Sequence, residues 1–249
     1  MNNKGFITLT VVFEAMSLNR DEGLGNIQSL HLLTRGNGDV HSFMSRQALT
    51  YAIRKFLIES QVWKETELTA QEVEADGEED GEEENKKKKT KKKVIQYDTD
   101  ISKYEEIDLF GYMKTIKNKE AETRSAAVTF THAVSLEPYN GDMAFYANHE
   151  MVRRSLKIND KATPNPYNRQ EHKSLYKYSV VIDLNRVSKR DEKVQNDKFE
   201  QISENAKLRL SQLMDAIGSL HHQIAAYRQP LYPLFIAAAH IKFGSPIFH

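Results

Sequence analysis

Residues 44–57 carry the pattern that most constrains this chain, because their apolar side chains recur at the spacing of an amphipathic helix. The apolar positions follow one helix face at i, i+3, i+4, i+7 and i+8: Leu49, Ala52, Ile53, Phe56 and Leu57. Ser45 precedes them, and its hydroxyl suits an N-cap, where it accepts a bond from a free first-turn N–H group. The sequence therefore predicts a helix that begins near Ser45 and packs one face on a core.

The polar side of this predicted helix carries groups that suit an anion. Arg46 and Gln47 fall in the first turn, and Thr50 and Arg54 follow on the same wet side. Free N–H groups and the helix dipole favour an anion at such an end, and arginine adds charge and a forked donor. An ordinary surface helix capped by serine shows the same pattern, so both interpretations stay open.

Composition excludes several classes of site. The chain of 249 residues has no cysteine, so disulfides and zinc–thiolate sites are excluded and a cytoplasmic location is expected. No apolar run reaches the roughly 20 residues that span a bilayer, so no membrane partner is expected. The formal net charge is +0, with nine acidic residues in 72–84 and seven lysines in 86–93. This pair of charged blocks lacks core residues and predicts a disordered loop or insertion.

The remaining patterns predict alternating strands and helices. Strands are expected at 6–16, 127–136, 174–184 and 231–243, the last one starting late or lying at an edge because of Pro230 and Pro233. A second helix is expected at 191–220, a loop at 19–39 and an irregular basic segment at 137–173. The order β-α-β-β-α-β predicts an α+β fold with an RRM-like, ferredoxin-like core and large insertions.

The motif search excludes common ligand sites. No glycine-rich nucleotide motif follows the first predicted strand, His132 stands alone, and His221 and His222 lack further ligands, so neither a cofactor nor a metal is expected. Residues 176–178 read Tyr-Lys-Tyr, which is not the aromatic signature of RNA-recognition motifs. If the domain binds RNA, base stacking on the sheet is not the expected mode.

Five blocks in register resemble a known family, the DevR-type backbone subunit of type I-B CRISPR surveillance (Cascade) complexes. The blocks are Ser-Leu-Asn-Arg-Asp at 17–21, Ser-Arg-Gln-Ala-Leu at 45–49, Asp-Leu-Phe-Gly-Tyr-Met at 108–113, and the strand sequences at 127–135 and 176–184. The resemblance implies a non-enzymatic protein, without cofactor or metal, whose copies polymerise along CRISPR RNA. It also implies other Cascade subunits as partners, and target DNA reached through the guide.

The resemblance implies one RRM-like domain over 1–249, with a palm, a finger region in the charged insertion at about 64–105 and a thumb at about 137–173. Ser45, Gln47 and Arg54 match family positions that hold guide phosphates. Arg20 matches an arginine at the RNA groove, and Thr50 stands where some relatives have lysine. Met113 resembles a methionine that wedges between bases beside a kinked nucleotide. A guide of arbitrary sequence must be held by its backbone, which agrees with phosphate donors at this helix end.

Two alternatives remain at this point. Backbone subunits of type III systems cut target RNA with an aspartate in a loop, and here only Asp21 and Asp39 occupy the loop before the first helix. The other alternative is an RRM-like RNA-binding protein that does not polymerise. The basic segment between Arg153 and Lys173 argues against that second alternative.

Overall fold

The computed structural model describes residues 5–21, 23, 25–75, 90–114, 121–158, 162–189, 199–224 and 227–249. The four α-helices are α1 (Arg46–Glu59), α2 (Glu105–Phe110), α3 (His149–Ser155) and α4 (Phe199–Ser219), and a 3-10 turn covers Leu156–Ile158. The strands are β1 (Phe6–Met16), β2 (Ile27–Gln28), β3 (Leu32–Thr34), β4 (Val40–Met44), β5 (Leu68–Ala75), β6 (Thr90–Tyr97), β7 (Tyr112–Lys114), β8 (Glu122–Arg124), β9 (Val128–Phe130), β10 (Ala133–Ser135), β11 (Met143–Tyr146), β12 (Tyr167–Gln170), β13 (Lys173–Asp183), β14 (His221–Ile224), β15 (Tyr227–Pro230) and β16 (Phe235–Ile241).

One sheet of seven strands organises the described residues. Its order is β16-β1-β13-β10-β4-β3, and β9 also pairs with β13. Every pairing along this path is antiparallel. The four core strands of the predicted β-α-β-β-α-β order therefore lie side by side as fourth (β16), first (β1), third (β13) and second, and the second is split into β9 and β10. Helices combined with this sheet confirm the predicted α+β class.

The core lies between this sheet and the two long helices. Alternate residues of β1 and β13 face it, including Phe13 and Tyr178, because side chains of a strand alternate between faces. The apolar stripe of α1 covers them, and Leu49, Ile53 and Leu57 are at most 2% exposed. The predicted first strand and the helix capped by Ser45 are confirmed.

Several sequence predictions are wrong where pairing depends on distant residues. The predicted loop at 19–39 contains β2 and β3, and the predicted strand at 127–136 is interrupted at Thr131 and His132. The predicted helix at 191–220 is helical over Phe199–Ser219, and its residues 191–198 lie outside the described residues. His221 and His222 begin β14 rather than end that helix. The fourth strand starts late, at Phe235, and lies at the sheet edge, as the two prolines predict.

The prediction that the charged blocks are disordered is wrong for their two ends, which form strands. β5 and β6 form an antiparallel hairpin in which Glu72 lies opposite Lys93 and Glu74 lies opposite Lys91. Composition does not predict this hairpin, because strand pairing depends on the partner strand. Residues 76–89 lie outside the described residues.

A buried carboxylate connects α2 to α4 and β8. The Asp108 carboxylate is completely buried, and its oxygens accept from Arg124 Nη2 at 2.6 Å and Arg209 Nη1 at 2.7 Å. The backbone N–H of Ser188 donates to the same carboxylate at 3.0 Å. Both guanidinium groups are at most 4% exposed, so this Asp108 triad (Asp108, Arg124, Arg209) is enclosed by protein.

The triad holds two positive charges and one negative charge, and backbone carbonyl oxygens accept further hydrogen bonds from its two guanidinium groups. Arg124 donates to the carbonyls of Lys189 and Arg186, and Arg209 donates to those of Ile101 and Ser102. Buried charges require partners of this kind, because water does not reach them.

A second buried network connects the sheet to the insertion between β10 and β13. The side chain of Ser42 lies 2.7 Å from both His172 Nδ1 and the Tyr176 hydroxyl. The imidazole also bonds the backbone of Pro138, which offers only a carbonyl oxygen, so the imidazole donates there. Burial raises the pKa of the Tyr176 hydroxyl to about 12. Burial lowers the pKa of His172, although Glu137 and Asp142 oppose that effect.

Replacing Asp108 by asparagine is expected to destabilise the fold by about 3 kcal/mol, because two buried guanidinium groups lose their counter-charge. Equilibrium unfolding in urea, followed by circular dichroism, measures this change. A loss below about 1 kcal/mol would show that the carbonyl oxygens alone suffice to hold the two arginines.

Acidification is expected to destabilise the protein below pH 6.5, the ordinary pKa of histidine. The unfolded chain binds protons on His172 more readily than the native protein, whose pKa is lowered, so stability is present above pH 6.5 and is lost as pH falls. His222 and His249 have pKa values lowered by burial and act in the same direction. Unfolding midpoints measured between pH 5 and pH 8 for the unmodified protein and for His172→Asn test this, since the variant should show the smaller dependence. An unchanged pH dependence in the variant would contradict the assignment.

Candidate nucleic-acid interface

The first turn of α1 forms as predicted, with one addition. The Ser45 hydroxyl accepts from the Ala48 N–H at 3.1 Å, and the Arg46 N–H donates to His132 Nδ1 at 2.9 Å. His132 thus acts as a second cap from the break between β9 and β10, a role that its isolated position in the sequence did not indicate. Among the described residues, the Gln47 N–H is the first-turn donor left without an acceptor.

The side chains of this turn differ in their availability. Arg46 and Gln47 are exposed, and no ion pair of Arg46 occurs among the described residues. Thr50 is half-buried and donates to the carbonyl oxygen of Gln47 at 3.1 Å, so its hydroxyl is already used as a donor. An anion at this helix end would therefore meet the Gln47 N–H and the Arg46 guanidinium first.

Arg54 is held in place by α2. Its Nη1 lies 2.5 Å from Glu106 Oε1, and its guanidinium lies 5.8 Å from the centre of the Phe110 ring. The other carboxylate oxygen of Glu106 accepts from Thr66. The Arg54 side chain is 30% exposed, so an anion can reach it only by sharing it with Glu106. The sequence reasoning missed Glu106, because 52 residues separate the partners.

Arg20 lies in a separate cluster at the junction of β1 with β12 and β13. It donates to Glu171 at 2.9 Å and to the carbonyl of Gln170 at 2.7 Å, and its side chain is 13% exposed. Ser17 also donates to Glu171, at 2.6 Å. Burial lowers the pKa of Arg20, and the carboxylate of Glu171 partly offsets this. Arg20 thus has an internal partner, and its hydrogen bonds go to Gln170 and Glu171 rather than to the α1 turn.

Met113 projects from the hairpin of β7 and β8 and is 76% exposed. The residues before it are fixed. Gly111 has φ +73°, and a Cβ there would lie 2.3 Å from the carbonyl oxygen of Arg124, so both conformation and space require glycine. The Tyr112 hydroxyl donates to Glu122 at 2.6 Å. An exposed methionine on a fixed hairpin is an apolar, polarisable group available to a partner.

The predicted site residues thus fall into three groups. Ser45, Arg46 and Gln47 share the first turn of α1, with Thr50 just after it, and Arg54 and Met113 are connected through α2. Arg20 belongs to the cluster with Glu171. Within the described ranges no hydrogen bond or ion pair joins Arg20 to the helix turn.

The insertion at 137–173 is more structured and less cationic than its sequence predicts. Arg153 and Arg154 both pair with Glu150 within α3, as neighbours on a helix surface. Arg169 lies over the rings of Tyr146 and Tyr167, which stack at 5.2 Å. The sheet of β11, β12 and β2 instead exposes Met143 and Phe145, at 52% and 65%.

The two aspartates considered for cleavage have local partners. His31 Nε2 lies 2.8 Å from Asp21, and Asn37 donates to Asp39 at 2.6 Å within an exposed turn. A search of the described residues finds no group of three His, Cys, Asp or Glu side chains placed to hold a metal. In the same part of the chain no helix is long and apolar enough to cross a membrane.

Solved structures share this fold. The chain aligns with a subunit of a CRISPR RNA-guided surveillance complex in a pre-nicking state with a TM-score of 0.59 at 14% identity, over 90% of this chain and 76% of the other. A second such surveillance complex gives a TM-score of 0.53 at 15% identity, over 90% of this chain and 66% of the other. At these identities the likeness concerns the fold.

A sequence relative is the CRISPR-associated protein Cas7/Cst2/DevR of Myxococcus xanthus (strain DK1622), which is 29% identical over 170 residues. The match covers 66% of this chain and 52% of the relative, so the chain spans about half the length of the relative it matches. The family model described as CRISPR-associated negative auto-regulator DevR/Csa2 matches residues 7–248. The chain therefore belongs to the CRISPR-associated DevR/Csa2 family.

Proposed function

We propose that this chain is a non-catalytic backbone subunit that binds CRISPR guide RNA in a type I-B Cascade complex in the cytoplasm. The observation that carries the proposal is the family match over residues 7–248. The sequence relative from Myxococcus xanthus is a Cas7-type protein, which agrees with it. The alignment with surveillance-complex subunits over 90% of the chain supports the same fold and setting.

An RRM-like palm is part of this proposal. Its support is the antiparallel order of β16, β1, β13 and the β9/β10 strand, with α1 after the first core strand and α4 after the third, which is the ferredoxin-like arrangement. In this view the β5–β6 hairpin belongs to the fingers, and the segment from β11 to β12 belongs to the thumb of one domain over 1–249.

The RNA would be held mainly by its phosphates at the first turn of α1. Arg46 offers an exposed guanidinium beside the unpaired Gln47 N–H, and both groups bind phosphate without reading a base. Arg54 would join this site by sharing its charge between Glu106 and a phosphate, with Ser45 and Thr50 lining the same turn.

Met113 would separate neighbouring bases where the guide is kinked. A flexible thioether that is 76% exposed can insert between bases of any identity. Copies of the chain would polymerise along the guide, with other Cascade subunits at the ends and with the unkinked bases left free to pair with target DNA.

Purification under mild salt without nuclease tests the proposal directly. A high absorbance ratio at nucleic-acid wavelengths, a light-scattering mass several times that of the 28.7 kDa chain and bound RNA of repeat–spacer type are expected. An RNA-free monomer that ignores added single-stranded RNA would overturn the proposal.

Affinity for single-stranded RNA is expected to be nearly independent of base sequence and to fall with salt. Each neutralised phosphate should contribute roughly −0.7 to the slope of log K against log salt concentration. Fluorescence anisotropy with RNAs of different composition, titrated at several salt concentrations, measures both quantities. A strong sequence preference at constant salt would contradict recognition through the RNA backbone.

Replacing Glu106 by glutamine is expected to strengthen RNA binding, because Arg54 loses its competing carboxylate. The salt slope should become steeper by roughly 0.7, the contribution of one additional phosphate contact. Glu59→Gln removes the same charge near the other end of α1, where Glu59 pairs with Lys55, and serves as the matched control. If Glu106→Gln strengthens binding equally in an Arg54→Ala background, the effect does not pass through Arg54.

A further inference from the structure

We infer that Asp108 is a positioning residue for Met113, and that α2 connects the phosphate site of α1 to the exposed methionine as one rigid unit. The inference rests on the proposed function in one respect, that RNA is the partner Met113 contacts. The placement of Met113 itself is a property of the RNA-free protein and is argued from buried contacts.

Strand β8 of the hairpin is anchored through Arg124. β7 pairs with β8 in register, so that Tyr112 lies opposite Arg124 and Met113 lies opposite Thr123. Arg124 ends β8, and its guanidinium is 3% exposed and bonded to Asp108 at 2.6 Å. The residue next to Thr123, the partner of Met113, is thus held by a buried, charge-assisted hydrogen bond, which is stronger and more directional than an apolar contact.

Strand β7 of the hairpin is anchored through α2. Asp108 lies within α2, and Gly111 follows the helix against the backbone of Arg124 with no space for a side chain. Both strands of the hairpin are therefore anchored at Asp108: β7 follows α2, which contains Asp108, and β8 ends at Arg124, which donates to Asp108. The direction in which Met113 projects depends on the geometry of that carboxylate.

Contacts of α2 connect this hairpin to α1 and α4. Glu106 and Phe110 of α2 both contact Arg54, and Asp108 accepts from Arg209 of α4 at 2.7 Å. A six-residue helix thus joins Arg54 to Met113 with contacts at three of its residues. Side chains keep their geometry when surrounding residues fix their rotamers by packing and hydrogen bonds. A phosphate at Arg54 and a base at Met113 would therefore be kept at a fixed separation.

The arrangement also explains why a charge is buried here. An apolar core at the same place would pack α2 against α4 without fixing its rotation, since apolar contacts are not directional. A carboxylate bonded by two guanidinium groups and the Ser188 N–H fixes the position of each element around it.

The test compares Asp108→Asn with Leu9→Ala, a core variant in β1, outside α2, β7 and β8, that loses stability by making a cavity and leaves the Asp108 bonds in place. Arg124→Lys is the second hairpin variant. It keeps a positive charge but loses the fork that bonds Asp108 and the carbonyls of Arg186 and Lys189 together, and it stands in should Asp108→Asn fail to fold. Met113→Leu identifies the resonance of Met113.

The first measurement is the ¹³C-methyl methionine spectrum of the full chain without RNA. The Met113 methyl resonance is expected to shift in Asp108→Asn and Arg124→Lys and to stay unchanged in Leu9→Ala. An unchanged Met113 resonance in both hairpin variants would overturn the inference, whatever RNA does.

The second measurement uses single-stranded RNAs that carry one 2-aminopurine at successive positions. Fluorescence that rises where Met113 unstacks a base is expected to fall roughly two-fold or more in the hairpin variants, because a small misplacement of a positioned group is enough to lose its effect. RNA affinity should fall less than this signal, since Arg46 and Gln47 are untouched, and Leu9→Ala should keep the signal.

If no position shows a Met113-dependent signal in the unmodified protein, the wedge role in the proposed function fails, and the methyl spectrum still decides the placement of Met113. If the signal persists in both hairpin variants at full strength, Asp108 is not its positioning residue.

Discussion

Asp108 carries a negative charge at a place that water does not reach, and the arrangement of α2, β8 and α4 depends on the groups that compensate this charge. Removing a carboxylate from water is unfavourable by several kcal/mol, and the attraction of two guanidinium groups offsets this only with good geometry. Because that geometry involves α2, β8 and α4 together, these elements take one arrangement or lose the whole network. The Asp108 triad therefore determines the relative positions of α2, β8 and α4 more than it determines the stability of the fold.

Apolar and polar contacts have different roles elsewhere in the fold as well. Apolar side chains hold α1 and α4 on the central sheet, whereas polar contacts attach the inserted segments. Ser42, His172 and Tyr176 join the sheet to the segment before β13, and Arg20 joins Glu171, the residue next to His172. Polar contacts have defined distances and angles, so they set orientation, and orientation is what inserted segments that reach a partner require.

Local patterns predicted the elements whose signals lie within a few residues. The alternation of 6–16 and the cap at Ser45 need no distant information, and both are confirmed. β2 and β3 were not predictable in this way, because short strands depend on a partner strand rather than on their own composition. The hairpin of β5 and β6 was missed because composition was weighed without register, in which glutamates face lysines.

The candidate site was predictable as a set of residue types but not as a set of partners. Arg54 and Arg20 were recognised as cations, yet Glu106 and Glu171, which hold them, lie 52 and 151 residues away in sequence. His132 lies 86 residues from the helix that it caps, and its role comes only from the interrupted strand. Sequence spacing indicates chemistry within one element, whereas pairing between elements requires the fold.

Partners already present within the site have a consequence for binding. A cation that must leave or share a carboxylate contributes less to RNA affinity than a free one, because the lost internal contact is subtracted from the new one. Among the predicted cations Arg46 lacks such a partner in the described structure, so one chain should hold RNA weakly through this turn. For a protein proposed to line a guide in many copies, weak contacts of this kind are sufficient, since each bound copy raises the effective concentration of RNA for the next. In the proposed assembly, weak, base-independent contact by each copy and firm binding by the whole would then follow from arginines that keep internal carboxylate partners.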